Sequence, residues 1–205
     1  MHRSNCLACR VFGSLSMRGR CAPRDLFPFA AAGELSEDAR ANLARANKVE
    51  VRNGVFIGRM SGSVEVGPFD QEMVPAGVTF HGEVALQNYQ AWQLGLLWSS
   101  FDELDEGFAQ LGSSKTRGLG VVRVAVDSLI HEQRSGAEQR PVGVGELVDE
   151  RTRREYGLFA EGRLPDSTGA TRGLSRRFVV DEAGALARWR DAGLTALDGL
   201  KKGGR

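Results

Sequence analysis

Between Leu111 and Gly120 the chain reads LGSSKTRGLG. Gly112, Gly118 and Gly120 surround Ser113, Ser114, Lys115, Thr116 and Arg117. Main-chain N–H groups left open by glycine can cradle phosphate oxygens, and two cations beside them neutralise the charge. The segment is not a P-loop, because Ser114 stands where that motif needs the glycine before its lysine. Nor is it a dinucleotide fingerprint, because Arg123 occupies the third glycine position. It also follows a predicted helix and precedes a predicted strand, the reverse of both motifs. Taken alone, it reads equally well as a connection carrying two solvated cations.

A second cluster lies at the start of the chain. Cys6 and Cys9 are spaced to present two thiolates on one turn, Cys21 adds a third, and His2 could complete a tetrahedral Cys3His zinc site. The alternative is three unrelated thiols. In a reducing compartment, metal binding or burial is favoured over a disulfide. His81 and Glu83 share one face of a predicted strand and could do acid–base work, against the plainer reading of a surface or RNA-facing polar pair. Trp92, Trp98 and Phe101 could stack on bases, but their helical spacing describes a core. No residue is assigned a catalytic role.

These residues must be positioned by a small fold. The 205 residues suit one domain with an appendage. A net charge of +1 creates no global field towards nucleic acid, although residues 1–24 hold five arginines and no carboxylate. No apolar run reaches the ~18 residues of a membrane span, and the start lacks the apolar region of a signal peptide. A cytoplasmic protein with no membrane partner is expected.

The periodicity predicts a helix over Leu35–Lys48 with Ser36 as N-cap, and a hairpin over Val49–Met60 turning at Asn53-Gly54. Ser61–Asp70 reads as a protruding loop or hairpin tip. A strand over Val78–Leu86, a helix over Tyr89–Leu111 closed by Gly112, and a strand over Val121–Asp127 follow. Hairpin, strand, helix, glycine-rich loop and strand make half of a ferredoxin-like, RRM-like α+β fold. The expected division is residues 1–127, with a Cys-containing knob at 1–24, a hairpin region at 49–72 and a strand–helix–loop–strand unit at 73–127. Residues 128–205 form an irregular extension of unassigned role. Its Arg151, Arg153, Arg154, Arg176 and Arg177 could meet RNA, but interleaved acids describe a solvated face.

Four stretches occur in one order: CLACRVFGS (Cys6–Ser14), VRNGVFIGRMSGS (Val51–Ser63), FDQEMVPAGVTFHGEVAL (Phe69–Leu86) and LGSSKTRGLGVVRV (Leu111–Val124). Together they resemble the RAMP backbone subunits of type III CRISPR effector complexes. Glu72, Pro75, Gly77 and Phe80 match that family's strand before its helix, and the Gly-rich loop matches its phosphate-gripping loop. Gly58 replaces the usual acidic residue before Arg59 at the base of the thumb hairpin.

The resemblance implies a guide-RNA (crRNA) binding subunit that assembles with other effector subunits around guide and target RNA in antiviral defence. It implies RNA contacts at Gly112, Ser113, Ser114, Lys115, Thr116, Arg117, Gly118, Gly120 and Arg59. It also supports a structural zinc on Cys6, Cys9, Cys21 and His2. The family's N-terminal half, which carries its RNA-cleaving Asp, is expected to be missing, and Asp25, Asp38 and Asp70 do not match that Asp. A half fold would expose a sheet edge and the apolar helix face, making the chain unstable alone or bound to another. Two other readings stand: an endoribonuclease whose catalytic Asp lies in the missing half, and a zinc-ribbon interaction module unrelated to CRISPR.

Overall fold

The computed structural model describes residues 5–31, 33–134, 136, 138–159 and 162–203. Helices and small antiparallel sheets alternate along the chain, giving the α+β class that the periodicity predicts. The chain forms two compact units, Ala22–Ala85 and Met1–Cys21 with Leu86–Arg205.

The first unit contains helix α2 (Glu37–Ala46), whose N-cap Ser36 accepts the Ala39 N–H at 3.2 Å. Glu37 and Asp38 in its first turn complement the helix dipole. Few apolar contacts hold this helix; none of its residues is buried. Instead Asn42 donates to the carbonyls of Pro28 (2.9 Å) and Thr79 (2.7 Å) and accepts the Thr79 N–H (3.0 Å). Arg45 donates to the Gly77 carbonyl at 2.9 Å.

Strands β4 (Glu50–Ile57) and β5 (Val64–Met73) form an antiparallel hairpin. Its turn lies at Gly58–Ser63, not at Asn53-Gly54: the Gly58 N–H bonds the Ser63 carbonyl at 3.0 Å. Asn53 and Gly54 sit within β4, opposite Asp70 and Phe69. A Cβ on Gly54 would lie 2.5 Å from the Phe69 ring, so this glycine seats a cross-strand aromatic rather than making a turn. Of Ser61–Asp70, read as a protruding loop or hairpin tip, residues 61–63 lie in the Gly58–Ser63 turn and residues 64–70 belong to β5. Only Val84–Leu86 of the predicted Val78–Leu86 strand is a strand (β6), preceded by an isolated Phe27–His81 bridge. Thr79 spends both backbone groups on the Asn42 side chain instead of on a ladder. β6 pairs with the short strand β3 (Cys21–Pro23).

In the second unit, α1 (Leu7–Phe12) leads into the two-residue strands β1 (Gly13–Ser14) and β2 (Met17–Arg18). Arg10 is buried: it donates to the carbonyls of Asn5 (3.1 Å) and Gly157 (2.8 Å), and its guanidinium lies 5.4 Å from the Phe159 ring centroid. Helix α3 (Ala91–Asp105) buries Ala91, Trp92, Leu94 and Trp98. It packs on α6 (Ala183–Gly203), and the two backbones touch at glycines. A Cβ on Gly95 would stand 2.1 Å from the Gly193 carbonyl oxygen.

Residues beyond Asp127 complete this core. Strands β7 (Leu129–Arg134), β8 (Gly169–Arg172) and β9 (Ser175–Val180) form an antiparallel sheet in the order β7-β9-β8. Leu164, Val180, Leu186 and Trp189 join Ala91, Leu94 and Trp98 in one buried cluster. The apolar face of α3 is thus covered by the extension rather than left exposed. Between β7 and β8 lie two short helices, α4 (Val144–Leu147) and α5 (Glu150–Tyr156).

Candidate nucleic-acid interface

The Gly-rich loop begins where α3 ends, and α3 ends earlier than its apolar stripe predicts. Gly107 adopts φ 82°, and the Ala109 N–H bonds the Glu103 carbonyl at 2.9 Å. The left-handed Gly107 follows the C-cap Glu106 and its N–H bonds the Leu104 carbonyl at 3.3 Å, so Gly107 rather than Gly112 ends the helix. Phe108 and Leu111, expected on the buried stripe, are exposed.

Two fastenings hold the loop at its base. The Leu111 N–H bonds the Gly120 carbonyl at 2.9 Å. Below that, Asp105 accepts the Val124 N–H at 2.8 Å and pairs with Arg123 at 3.6 Å. The segment Val121–Asp127 alternates exposed and half-buried residues as a strand would, yet no β-ladder forms there. The Asp105 carboxylate takes the place of a neighbouring strand at Val124.

Within the loop, Lys115–Arg117 make a single 3-10 turn, with the Arg117 N–H on the Ser114 carbonyl at 2.9 Å and the Gly118 N–H on the Lys115 carbonyl at 3.0 Å. Gly112, Ser114, Gly118 and Gly120 all take positive φ (79°, 57°, 77° and 87°). At Gly120 a Cβ would meet the Leu111 carbonyl oxygen at 1.9 Å, so only glycine closes the base. Ser114 holds a left-handed conformation that costs a non-glycine residue about 1–2 kcal/mol.

Lys115, Thr116 and Arg117 are exposed on this turn, and the sequence from Gly107 to Val126 contains no carboxylate. The result is a rigidly based, cationic, glycine-opened loop that can receive an anion. Arg59 is exposed in the β4–β5 turn and belongs to the Ala22–Ala85 unit. The structure thus gathers Lys115, Thr116 and Arg117 on one turn and keeps Arg59 on a separate one.

The cysteines are arranged as follows. Cys6 caps α1, with the Cys9 N–H 3.4 Å from its sulfur. The Cys9 main-chain N–H and thiol lower the Cys6 pKa, while the Cys6 thiol and burial raise that of Cys9. Burial also raises the Cys21 thiol, which lies in β3. His2 lies outside the described residues. Among the described residues, no three His, Cys, Asp or Glu side chains are gathered to hold a metal.

The remaining sequence candidates have other partners. Glu83 pairs with Arg24 at 2.5 Å, and His81 uses its backbone to bridge Phe27. Trp92 and Trp98 are core residues, Trp92 meeting Phe159 edge-on at 6.1 Å. Periodicity gave no sign of Asp105 or Asn42, because a single carboxylate or amide that binds distant backbone leaves no pattern. Among the described residues no helix is long and apolar enough to cross a membrane.

A family model described as the RAMP superfamily matches residues 2–123 of this chain. The matched region runs from the cysteine stretch through the hairpin and α3 to the returning arm of the Gly-rich loop. No curated protein matches the chain.

Proposed function

Because this chain belongs to the RAMP superfamily, whose members are CRISPR-associated RNA-binding proteins, we propose that it is a guide-RNA binding backbone subunit of a type III CRISPR effector. In this reading it is a non-catalytic part of a cytoplasmic ribonucleoprotein, assembled with other effector subunits around guide and target RNA.

The observation that carries the reading is the loop Gly112–Gly120. Its base is fixed by the Leu111–Gly120 bond, its glycines open main-chain N–H groups, and Lys115 and Arg117 stand exposed on one turn. Such a loop grips phosphates without reading bases. Arg59, in the hairpin turn, is the second contact expected from the resemblance. Replacing both loop cations (Lys115→Ala with Arg117→Ala) is expected to weaken binding of repeat-derived RNA and to flatten its salt dependence by about 1.4 log units per log unit of salt. Unchanged binding overturns the loop assignment.

A structural zinc on Cys6, Cys9, Cys21 and His2 is part of the proposal. Its support is the Cys6–Cys9 pair at the start of α1, where the Cys9 N–H lies 3.4 Å from the Cys6 sulfur; among the described residues the structure does not gather Cys21 with them. Elemental analysis of the purified chain should find about one zinc per chain, lost on Cys6→Ser with Cys9→Ser. Zinc retained in that double variant would remove these residues as ligands.

A further inference from the structure

The sheet β7-β9-β8 buries one face on α6 and leaves the other open. The buried face carries His131, Phe178 and Val180. By the strand register, the open face holds Ile130 beside Val179, Glu132 beside Arg177 and Ala170, and Arg134 beside Ser175 and Arg172. Ile130 and Val179 are half exposed, at 49% and 52%. Arg134 and Arg172 therefore flank Ser175 from the two outer strands, about 10 Å apart, and Arg177 stands one pleat repeat along, about 7 Å away.

This face is cationic: Arg134, Arg172 and Arg177 stand on it with one carboxylate, Glu132. Its one carboxylate, Glu132, accepts the Ser175 hydroxyl. Among the described residues no carboxylate pairs with Arg134, Arg172 or Arg177. Arg177 is half-buried, and its Nε, like that of Arg176 on the opposite face, has no hydrogen-bond partner among the described residues. All of these residues lie beyond Arg123, where the family match ends.

We propose that the open face of β7-β9-β8 is a second RNA-binding surface, which takes the phosphate backbone of a single strand. The occupant follows from the chemistry of the face. Three arginines on a flat sheet offer forked donors to phosphate oxygens. No aromatic residue lies among the open-face positions, so base stacking contributes nothing and binding does not depend on sequence. Ile130 and Val179 supply an apolar floor against which sugars can rest. The inference rests on the RNA-binding reading above but uses different residues.

The test measures single-stranded RNA binding by the full chain as a function of salt, with a uridine homopolymer and with repeat-derived RNA. The triple variant Arg134→Ala, Arg172→Ala, Arg177→Ala is expected to lower the salt slope by about two and to weaken homopolymer binding by about tenfold or more at low salt. Because Arg177 is partly buried, the double variant Arg134→Ala, Arg172→Ala serves as a second probe and should lower the slope by about 1.4. Loss of RNA binding in the loop variant with an unchanged slope in both sheet variants would overturn this surface and leave the loop standing. Unchanged binding in loop and sheet variants alike would overturn both. Competition by polyglutamate at the same charge concentration as RNA would assign the face to an acidic protein and reject the proposal.

Discussion

His131 shows how a polar side chain is held neutral in this core. It is 5% exposed and lies between the Phe178 and Trp189 rings. Gln133 Oε1 accepts the Val142 N–H at 2.9 Å while Gln133 Nε2 donates to the Arg140 carbonyl at 2.9 Å, which fixes the amide. His131 Nε2–H then donates to Gln133 Oε1 at 3.0 Å, and Nδ1 accepts the Tyr89 hydroxyl at 2.8 Å. In the neutral form both ring nitrogens are satisfied. Burial lowers the pKa below the ordinary 6.5, against a smaller opposing effect of the Gln133 bond. The unfolded chain therefore binds the proton more readily than the folded one, and stability falls as pH drops through and below 6.5. Melting temperature should decline between about pH 7.5 and pH 5.5, and His131→Phe should flatten that decline. An equal decline in the variant would place the titration elsewhere. Periodicity could not identify this residue, because each face of β7 carries one apolar residue followed by two polar ones: Leu129, His131 and Gln133 on one, Ile130, Glu132 and Arg134 on the other.

At the scale of elements, glycine is where sequence and structure part. Asn53-Gly54 has the composition of a hairpin turn, yet Gly54 lies inside β4 under the Phe69 ring. Gly169 does the same under Phe178 in the β8–β9 pair. A dipeptide signal reports only that the backbone is permissive; the partner across the sheet decides its use. The end of α3 differs from its apolar stripe for a related reason. The apolar stripe continues to Leu111, but Gly107 breaks the helix and Asp105 is drawn off to Val124. By contrast Ser36 and its acidic first turn, and the Trp92 and Trp98 core, were legible because capping and helical periodicity are local. Gly95 against Gly193 is the sharpest element-level constraint. Gly95→Val should force α3 and α6 apart and cost about 3 kcal/mol or more, read as a lower denaturation midpoint. An unchanged midpoint would show that this approach is not tight.

For the whole molecule, the Gly-rich loop was readable from its own residues, but its support was not. Within residues 128–205, Val180–Leu200 has helix-like content, but the strands give no strong periodic signal, because β7, β8 and β9 are short and mix apolar with charged side chains on the open face. They nevertheless supply the sheet and the helix that bury α3. Truncation after Asp127 should therefore uncover Ala91, Leu94 and Trp98 and abolish the cooperative melt, with dye binding to exposed apolar surface. A cooperative melt of that fragment would contradict this packing. The proposed grip of the Lys115–Arg117 turn on guide-RNA phosphates is tested by the salt dependence of repeat-derived RNA binding. Binding by the native chain should depend steeply on salt, and Lys115→Ala with Arg117→Ala should clearly lower both affinity and slope. Identical affinity and slope in the two proteins would contradict it.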